Sequence, residues 1–151
     1  MNEPKNNYKL YFDGACSPNP GGVASYGFIL TLNDADEIDR GCGVIGKGKM
    51  MTDVHAELYA LSTGLASFIR HYDKPDSKLT ILGDSQYIIG QIKSEKPHSS
   101  SQMRIVCNQL NSLTGMNVAF EPLWIPREQN NFCDALAKRM RAMREAISKI
   151  A

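Results

Sequence analysis

Residues 8–22, YKLYFDGACSPNPGG, place a strand pattern, a carboxylate and a loop pattern in immediate succession. Apolar or aromatic residues at positions 8, 10 and 12 alternate with Lys9 and Tyr11, as in a strand with one buried face. Asp13 follows, and after it come two prolines and three glycines, which favour a tight loop with accessible backbone. The stretch therefore predicts a strand that ends at Asp13. Because Asp-Gly is also a common turn dipeptide, a functional role for Asp13 requires other carboxylates at the same place.

The composition is typical of one globular domain. The chain has 151 residues, of which 42% are hydrophobic and 22% charged, enough for a core of ordinary size. No apolar run approaches the ~20 residues of a membrane span, and the first residues lack the apolar core of a signal peptide. The four cysteines are scattered without a C-x-x-C pair, so we expect free thiols rather than zinc. We therefore expect a single cytoplasmic domain over residues 1–151, without a membrane partner.

The net charge of +1 does not indicate a nucleic-acid partner by itself. The last segment is nevertheless basic, through Lys138, Arg139, Arg141, Arg144 and Lys149. Such a face is able to contact phosphates, and it is equally typical of a solvated C-terminal helix. Both interpretations stay open at this point.

The first third of the chain has the pattern of an antiparallel meander. Residues 23–32 and 37–45 are rich in strand formers, and turn residues at 33–36 separate them. From Thr52 the period becomes helical and continues to about residue 70, with Thr52 or Asp53 as the N-cap. The predicted apolar stripe of this helix consists of Ala56, Tyr59, Ala60, Leu65, Ala66 and Ile69.

The rest of the chain alternates helices and strands. Residues 79–82 form a short apolar run, typical of a strand buried on both faces, and 118–125 also have a strand pattern. Helical segments are predicted at 85–93, at 102–113 and after an N-cap at Asn130 or Asn131. The stripe of the last helix is predicted to be Phe132, Leu136, Met140, Met143 and Ile147. This order predicts an α/β fold with a five-stranded mixed sheet, a meander plus two parallel strands, covered by helices on both faces.

Four carboxylates lie where such a sheet would bring them together. Asp13 and Asp84 each follow a strand, and the carboxyl ends of neighbouring strands form the site in open α/β sheets. Glu57 lies one turn inside the first helix, and Asp134 lies in the first turn of the last helix. Each acid also has a purely structural explanation. Asp134 favours the helix dipole, Glu57 could complete a capping box with Asp53 or face solvent, and Asp84 could be an N-cap.

A cluster of these acids would favour a hard cation. Carboxylates within ~6 Å of one another repel, and some of them acquire raised pKa values unless a cation neutralises them. Oxygen ligands suit magnesium or manganese rather than zinc. Two such ions can activate a water and stabilise a leaving oxygen during phosphodiester cleavage. The residues therefore indicate metal-assisted phosphoryl transfer.

Four segments resemble the signature motifs of type 1 ribonuclease H, in the same order and over nearly the whole chain. They are DGACSPNPGG at 13–22, TDVHAELYAL at 52–61, GDSQYII at 83–89 and NNFCDALA at 130–137. The resemblance implies a single ribonuclease H domain that acts as a monomer. It also implies that Asp13, Glu57, Asp84 and Asp134 are both the catalytic and the metal-binding set. Two Mg²⁺ ions, or alternatively Mn²⁺, would bind there together with substrate.

The resemblance further implies endonucleolytic cutting of the RNA strand of RNA–DNA hybrids, with 3′-hydroxyl and 5′-phosphate products. Substrate contacts match family positions that read the 2′-hydroxyl in the minor groove or hold a DNA phosphate. The minor-groove positions are Gly14, Ala15, Asn19 and Gln86, and the phosphate position is Thr52.

Three departures from the family pattern alter these expectations. Asp53-Val54 replaces the Asn-Asn pair of many members, which makes the hybrid contact there doubtful because a carboxylate repels phosphate. The loop before the last acid has no His, so product release or proton transfer would use another residue, or proceed without help. Arg127 is the candidate for that role and for substrate binding. The segment 93–104 keeps Lys93, Lys96, His98 and Arg104 but lacks the family's Trp-containing protrusion. We therefore expect weak or salt-sensitive hybrid binding.

Two alternatives to an active hybrid nuclease remain. One is a non-catalytic module that binds hybrids, although it would have no reason to retain all four acids. The other is a different nuclease on the same fold, which would arrange its acids differently along the chain and would not need Asn19 or Gln86.

Overall fold

The computed structural model describes residues 3–97 and 99–150, with the side chains at 141, 145 and 147–150 left aside. His98 of the expected basic segment, and the side chains of Arg141, Ile147 and Lys149, therefore lie outside the described residues. The elements in this part of the chain are, in order, β1 (Asn6–Ser17), β2 (Val23–Leu32), β3 (Asp36–Lys47), α1 (Asp53–His71), β4 (Ser77–Gly83), α2 (Gln86–Lys93), α3 (Ser101–Gly115), β5 (Ala119–Trp124), a 3-10 turn (Arg127–Asn130) and α4 (Asn131–Ile150).

The five strands form one mixed sheet in the order β3-β2-β1-β4-β5. The pairs β1–β2 and β2–β3 are antiparallel, and the pairs β1–β4 and β4–β5 are parallel. This confirms the predicted meander followed by two parallel strands. Because β1 is central, its carboxyl half lies beside the end of β4, the place where α/β sheets build their sites.

The strand β1 is longer than the sequence predicted. It does not end at Asp13, because residues 13–17 continue as a strand paired antiparallel with residues 23–27 of β2. On its other side, the pairing with β4 stops at Tyr11 opposite Leu82. Asp13 therefore lies two residues beyond the parallel pairing. The expectation of a strand end was wrong, and the expected position at the edge of the parallel pair was correct.

Helices cover both faces of the sheet. The side chains of Tyr8, Leu10 and Phe12 are fully buried in a core that also contains Leu61 and Leu65 of α1. The opposite face of the sheet packs on α4, where a Cβ added to Gly27 would lie 2.9 Å from the carbonyl oxygen of Cys133. Since Gly27 pairs with Asp13, the Asp13 side chain lies on the α4 face. No helix among the described residues is both apolar enough and long enough to cross a bilayer.

The predicted stripe of α4 was partly wrong. Phe132 and Met143 are exposed, whereas Cys133 and Ala137 are buried against the sheet. The close approach at Gly27 explains the difference, because small side chains let the helix backbone lie directly on β2. Similarly in α1, Ala66 is exposed and Leu58, Leu61 and Phe68 are buried instead. Tyr59 is 38% exposed and packs at the margin against Tyr26, with ring centroids 5.0 Å apart.

The N-caps of α1, α2 and α3 are threonine and serine hydroxyls. Thr52 caps α1 by accepting a hydrogen bond from the backbone N–H of His55 at 3.0 Å. Ser85, not Asp84, caps α2 by accepting from Ile88 at 3.2 Å. Asp84 is consequently not used as a cap and remains available for another role.

Candidate active site

Three of the four predicted acids line one cavity of about 200 Å³, which we call the acidic cavity. They come from three elements: Asp13 from β1, Glu57 from α1 and Asp134 from α4. The other lining residues are Gly14, Ala15, Cys16, Asp53, Arg127 and Lys138. Asp84 follows β4 immediately beside them, and its charge acts on both Asp13 and Glu57. The fold therefore brings all four acids into one electrostatic group.

Asp13 is the most buried acid of the group, with 5% of its surface exposed. Burial, together with the charges of Asp84, Glu57 and Asp134, raises the pKa of its carboxyl group to about 8. A hydrogen bond from the backbone N–H of Gly14 to Oδ1, at 2.9 Å, opposes the shift only in part. Without a cation, Asp13 is therefore largely protonated at neutral pH.

The pKa of Glu57 is raised for the same physical reasons. Burial and the charges of Asp84 and Asp53 outweigh the opposing effects of Ser85 and Arg127, and together they raise the pKa of its carboxyl group to about 7. Within the described part of the chain, the Oε2 atom of Glu57 is buried and has no hydrogen-bond partner. A buried carboxylate oxygen without a protein partner is unfavourable, so this atom is a candidate ligand for a cation.

Asp84 is positioned by two residues that follow it in the chain, at the end of β5 and in the turn before α4. The side-chain nitrogen Nδ2 of Asn130 donates to Asp84 Oδ2 at 3.2 Å, and the indole N–H of Trp124 donates to the Asp84 carbonyl at 3.0 Å. The sequence indicated Asn130 only as a possible helix cap, and the positioning roles of Asn130 and Trp124 were both missed. The one available signal for Asn130 was the presence of two adjacent asparagines where one cap suffices.

Asp134 lies in the first turn of α4, as predicted. It forms a 3.0 Å ion pair with Lys138, one turn further along the helix. The Lys138 ammonium therefore supplies positive charge at one wall of the acidic cavity. Arg127, from the turn before α4, supplies a second cation at the cavity.

The donor chemistry of the acidic cavity fits a hard divalent cation, although the carboxylates do not form a finished cage. In the part of the chain that the structure describes, no three His, Cys, Asp or Glu side chains are arranged to hold a metal ion together. The unpartnered Glu57 oxygen and the raised pKa values of Asp13 and Glu57 nevertheless mark a surplus of negative charge. A hard cation is the group that oxygen donors of this kind would accept.

Some of the predicted substrate-contact residues line this cavity, and others do not. Gly14 and Ala15 line it, and a Cβ at Gly14 would overlap backbone atoms of Ala56 and Glu57. Only glycine therefore lets β1 lie directly against α1 at the position of Glu57. Asn19 is exposed on the loop after β1, and Gln86 is exposed at the first residue of α2.

Thr52 lines a separate cavity of about 230 Å³, together with His55 and Gln102. The Nε2 atom of His55 lies 2.9 Å from the amide nitrogen of Gln102, and burial lowers the pKa of this imidazole. His55 thus contacts α3 and is not among the residues that line the acidic cavity.

A larger cavity of about 330 Å³ lies on the α4 face, but its chemistry is different. Its charged residues, Glu37 and Arg40, pair with each other through two hydrogen bonds of 2.5 and 3.0 Å. Their charges cancel, so this cavity offers neither a cation ligand set nor a phosphate-binding charge. The smaller acidic cavity is the chemically competent one.

The family model described as "Reverse transcriptase-like" matches residues 11–140, a range that contains all four acids. The chain belongs to this reverse-transcriptase-like family. Among its curated relatives, the Ribonuclease H of Francisella philomiragia is 36% identical over 84 residues, which cover 56% of this chain. The match spans about half of that relative, 48% of its length.

Solved structures agree on the fold of this reverse-transcriptase-like domain. RNase H1 from the archaeon Halobacterium salinarum has a TM-score of 0.73 at 27% identity, covering 89% of this chain and 96% of that one. LC11-RNase H1, solved in complex with an RNA/DNA hybrid, has a TM-score of 0.74 at 20% identity, covering 90% and 97%. The ribonuclease H-like fold expected from the motifs is confirmed.

Proposed function

We propose that this domain hydrolyses the RNA strand of RNA–DNA hybrids by metal-dependent endonucleolytic cleavage. The products would be a 3′-hydroxyl and a 5′-phosphate. The observation that carries the proposal is the convergence of Asp13, Glu57 and Asp134 on the acidic cavity, with Asp84 close enough for its charge to act on Asp13 and Glu57. A relative named Ribonuclease H and a structural neighbour solved with an RNA/DNA hybrid support the substrate class.

The four acids would hold the cations, Mg²⁺ or alternatively Mn²⁺, with two ions present when substrate is bound. Such ions supply the charge that activates a water and stabilises the leaving oxygen in phosphodiester cleavage. The partnerless Glu57 oxygen and the two raised pKa values support this assignment, because each reflects negative charge that the protein itself does not neutralise.

The remaining residues of the site position Asp84 or supply positive charge beside the cavity. Asn130 and Trp124 hold Asp84 at the end of β4, so its carboxylate approaches the cavity in one orientation. Arg127 and Lys138 place positive charge beside the cavity, where a scissile phosphate would carry negative charge. Gly14 and Ala15 offer a wall of bare backbone, which approaches a ribose more closely than a side chain would allow.

The telling experiment compares four labelled substrates: hybrid, duplex RNA, duplex DNA and single-stranded RNA. Each is incubated with Mg²⁺, Mn²⁺ or chelator. We expect internal cuts in the RNA strand of the hybrid alone, and no cuts with chelator. Equal cutting of duplex DNA would refute the substrate assignment, and binding without cutting would favour the non-catalytic module. Asp36→Asn, at an exposed carboxylate at the start of β3, is the matched control for Asp84→Asn.

A further inference from the structure

Asp53 uses its whole carboxylate inside the protein. Its Oδ1 accepts a hydrogen bond from the backbone N–H of Cys16 at 2.7 Å, and its Oδ2 accepts from the Asn19 side-chain amide at 2.9 Å. The pairing is reciprocal, because the backbone N–H of Asp53 donates to Asn19 Oδ1 at 3.1 Å. We call this group of three hydrogen bonds the Asp53 clamp.

The Asp53 clamp joins the loop after β1 to the first turn of α1. The two segments are 34 residues apart in sequence, so only the folded chain brings them together. A backbone hydrogen bond from Gly21 to Met51, 2.9 Å long, ties the same loop to the residues before α1. Hydrogen bonds to a charged acceptor are stronger than neutral ones, so the clamp is the strongest polar link between these segments.

The clamp also lies at the wall of the acidic cavity. Asp53 and Cys16 both line that cavity, and Glu57 lies one turn further along α1. Any movement of the loop relative to α1 would therefore change the distance between the backbone of Gly14 to Cys16 and the Glu57 carboxylate. The clamp makes these two walls one rigid unit.

We propose that Asp53 and Asn19 form a positioning pair. The pair holds the backbone of residues 14–16 at the distance from α1 that is needed to receive the RNA strand. This inference rests on the proposed function and makes it more specific. In this role Asn19 acts on the substrate through Asp53. The clamp then requires aspartate at position 53, because its two donors bind separate oxygen atoms and an asparagine side chain has only one oxygen.

Two single variants break the clamp in different ways, and the double variant rebuilds it. N19D places two carboxylates face to face. D53N places two NH₂ groups face to face, because the carboxamide oxygen still serves the Cys16 N–H. In N19D/D53N the carboxamide at position 53 accepts from Cys16 and donates to the carboxylate at position 19, which also accepts the backbone N–H of position 53. All three hydrogen bonds are restored with their donors and acceptors exchanged.

We expect each single variant to raise the KM for hybrid about tenfold, the effect of one or two lost hydrogen bonds, with a smaller change in kcat. The double variant should return KM to within about threefold of the parent. If its KM stays as high as that of N19D, the Asn19 amide contacts the substrate itself and the positioning role is wrong. D34N serves as the control, because Asp34 pairs with Lys9 in the exposed turn before β3.

Thermal unfolding separates this inference from the proposed function. The single variants should lower Tm and the double variant should recover it, whether or not the parent cuts hybrids. A parent that is inactive on hybrids, together with recovery of Tm, would refute the proposed function and leave the clamp intact. Unchanged Tm in both single variants would show that the clamp does not stabilise the contact between the loop after β1 and α1. That result would overturn the inference directly.

Discussion

Asn130 holds Asp84 and β1 with a single nitrogen atom. Its Nδ2 donates to Asp84 Oδ2 at 3.2 Å and to the Phe12 carbonyl oxygen at 2.9 Å, and the residue is 98% buried. The turn before α4 is thereby bonded to β1 at Phe12 and to Asp84, the residue after β4. The orientation of one catalytic candidate therefore depends on a residue 46 positions away in sequence.

Replacing Asn130 by alanine should lower kcat on hybrid by about 10- to 100-fold and leave KM nearly unchanged. This is the usual loss when a residue that orients a metal ligand by a hydrogen bond is removed. Steady-state kinetics at saturating Mg²⁺ test this. Asn131→Ala is the matched control, because Asn131 is exposed at the start of α4. A kcat equal to that of the control would show that Asp84 needs no support.

Replacing Asp84 by asparagine should abolish turnover while the fold is retained. Loss of one metal ligand removes several kcal/mol of transition-state stabilisation, which corresponds to about 10³-fold or more in rate. In chelator, the same variant should have a higher Tm than the parent, because one source of repulsion on Asp13 and Glu57 is gone. A near-normal rate would show that the carboxylate assignment is wrong.

The metal-free protein should lose stability as the pH rises from about 5 to 8. The folded-state pKa values of Asp13 and Glu57, about 8 and about 7, are raised above their ordinary values of 3.8 and 4.5. The folded state therefore binds more protons than the unfolded state between those limits, and its stability is lost as the carboxyl groups ionise.

Denaturant unfolding in chelator at several pH values measures this effect. The free energy of unfolding should fall by an amount on the order of a few kcal/mol across that range. Added Mg²⁺ should restore more stability at pH 8 than at pH 6, since the ligands must be ionised to bind it. A free energy that is flat with pH would contradict the electrostatic account of the site.

Alanine at Gly14 should impair both stability and activity. Its methyl group would overlap the backbone of Ala56 and Glu57, so β1 and α1 must separate at the catalytic position. The matched control is Gly90→Ala in α2, where a Cβ meets nothing within 4 Å. The control should gain about 0.5–1 kcal/mol of stability, because alanine favours the helix, and should keep full activity. Equal behaviour of the two variants in Tm and kcat would refute the close-approach argument.

Much of the fold could be predicted from local patterns, because the hydrophobic period of each segment reflects which face it buries. The strand segments that became β2, β4 and β5 could be predicted in this way. The placement of Asp13 and Asp84 after neighbouring strands could be predicted in the same way. The extent of β1 did not. Residues 14–17 resemble a loop by composition, and they form a strand because β2 supplies hydrogen bonds along their length.

The parts of the site that could not be predicted all depend on contacts between distant residues. Asp53 was considered as an N-cap, as a capping-box partner and as a doubtful contact with substrate, because nothing in the sequence shows that Cys16 and Asn19 donate hydrogen bonds to its carboxylate. The buried face of α4 was misjudged for a similar reason. Its contact with β2 selects small side chains where Gly27 allows close packing, and helical period alone favours large ones.

The most direct test of the central claim is to map cuts in an end-labelled RNA strand paired with DNA, in Mg²⁺ and in chelator. The account predicts internal cuts with 3′-hydroxyl and 5′-phosphate ends in Mg²⁺, none in chelator, and none with Glu57→Gln or Asp84→Asn. Cuts that persist in chelator, or in either variant at the parental rate, would contradict it.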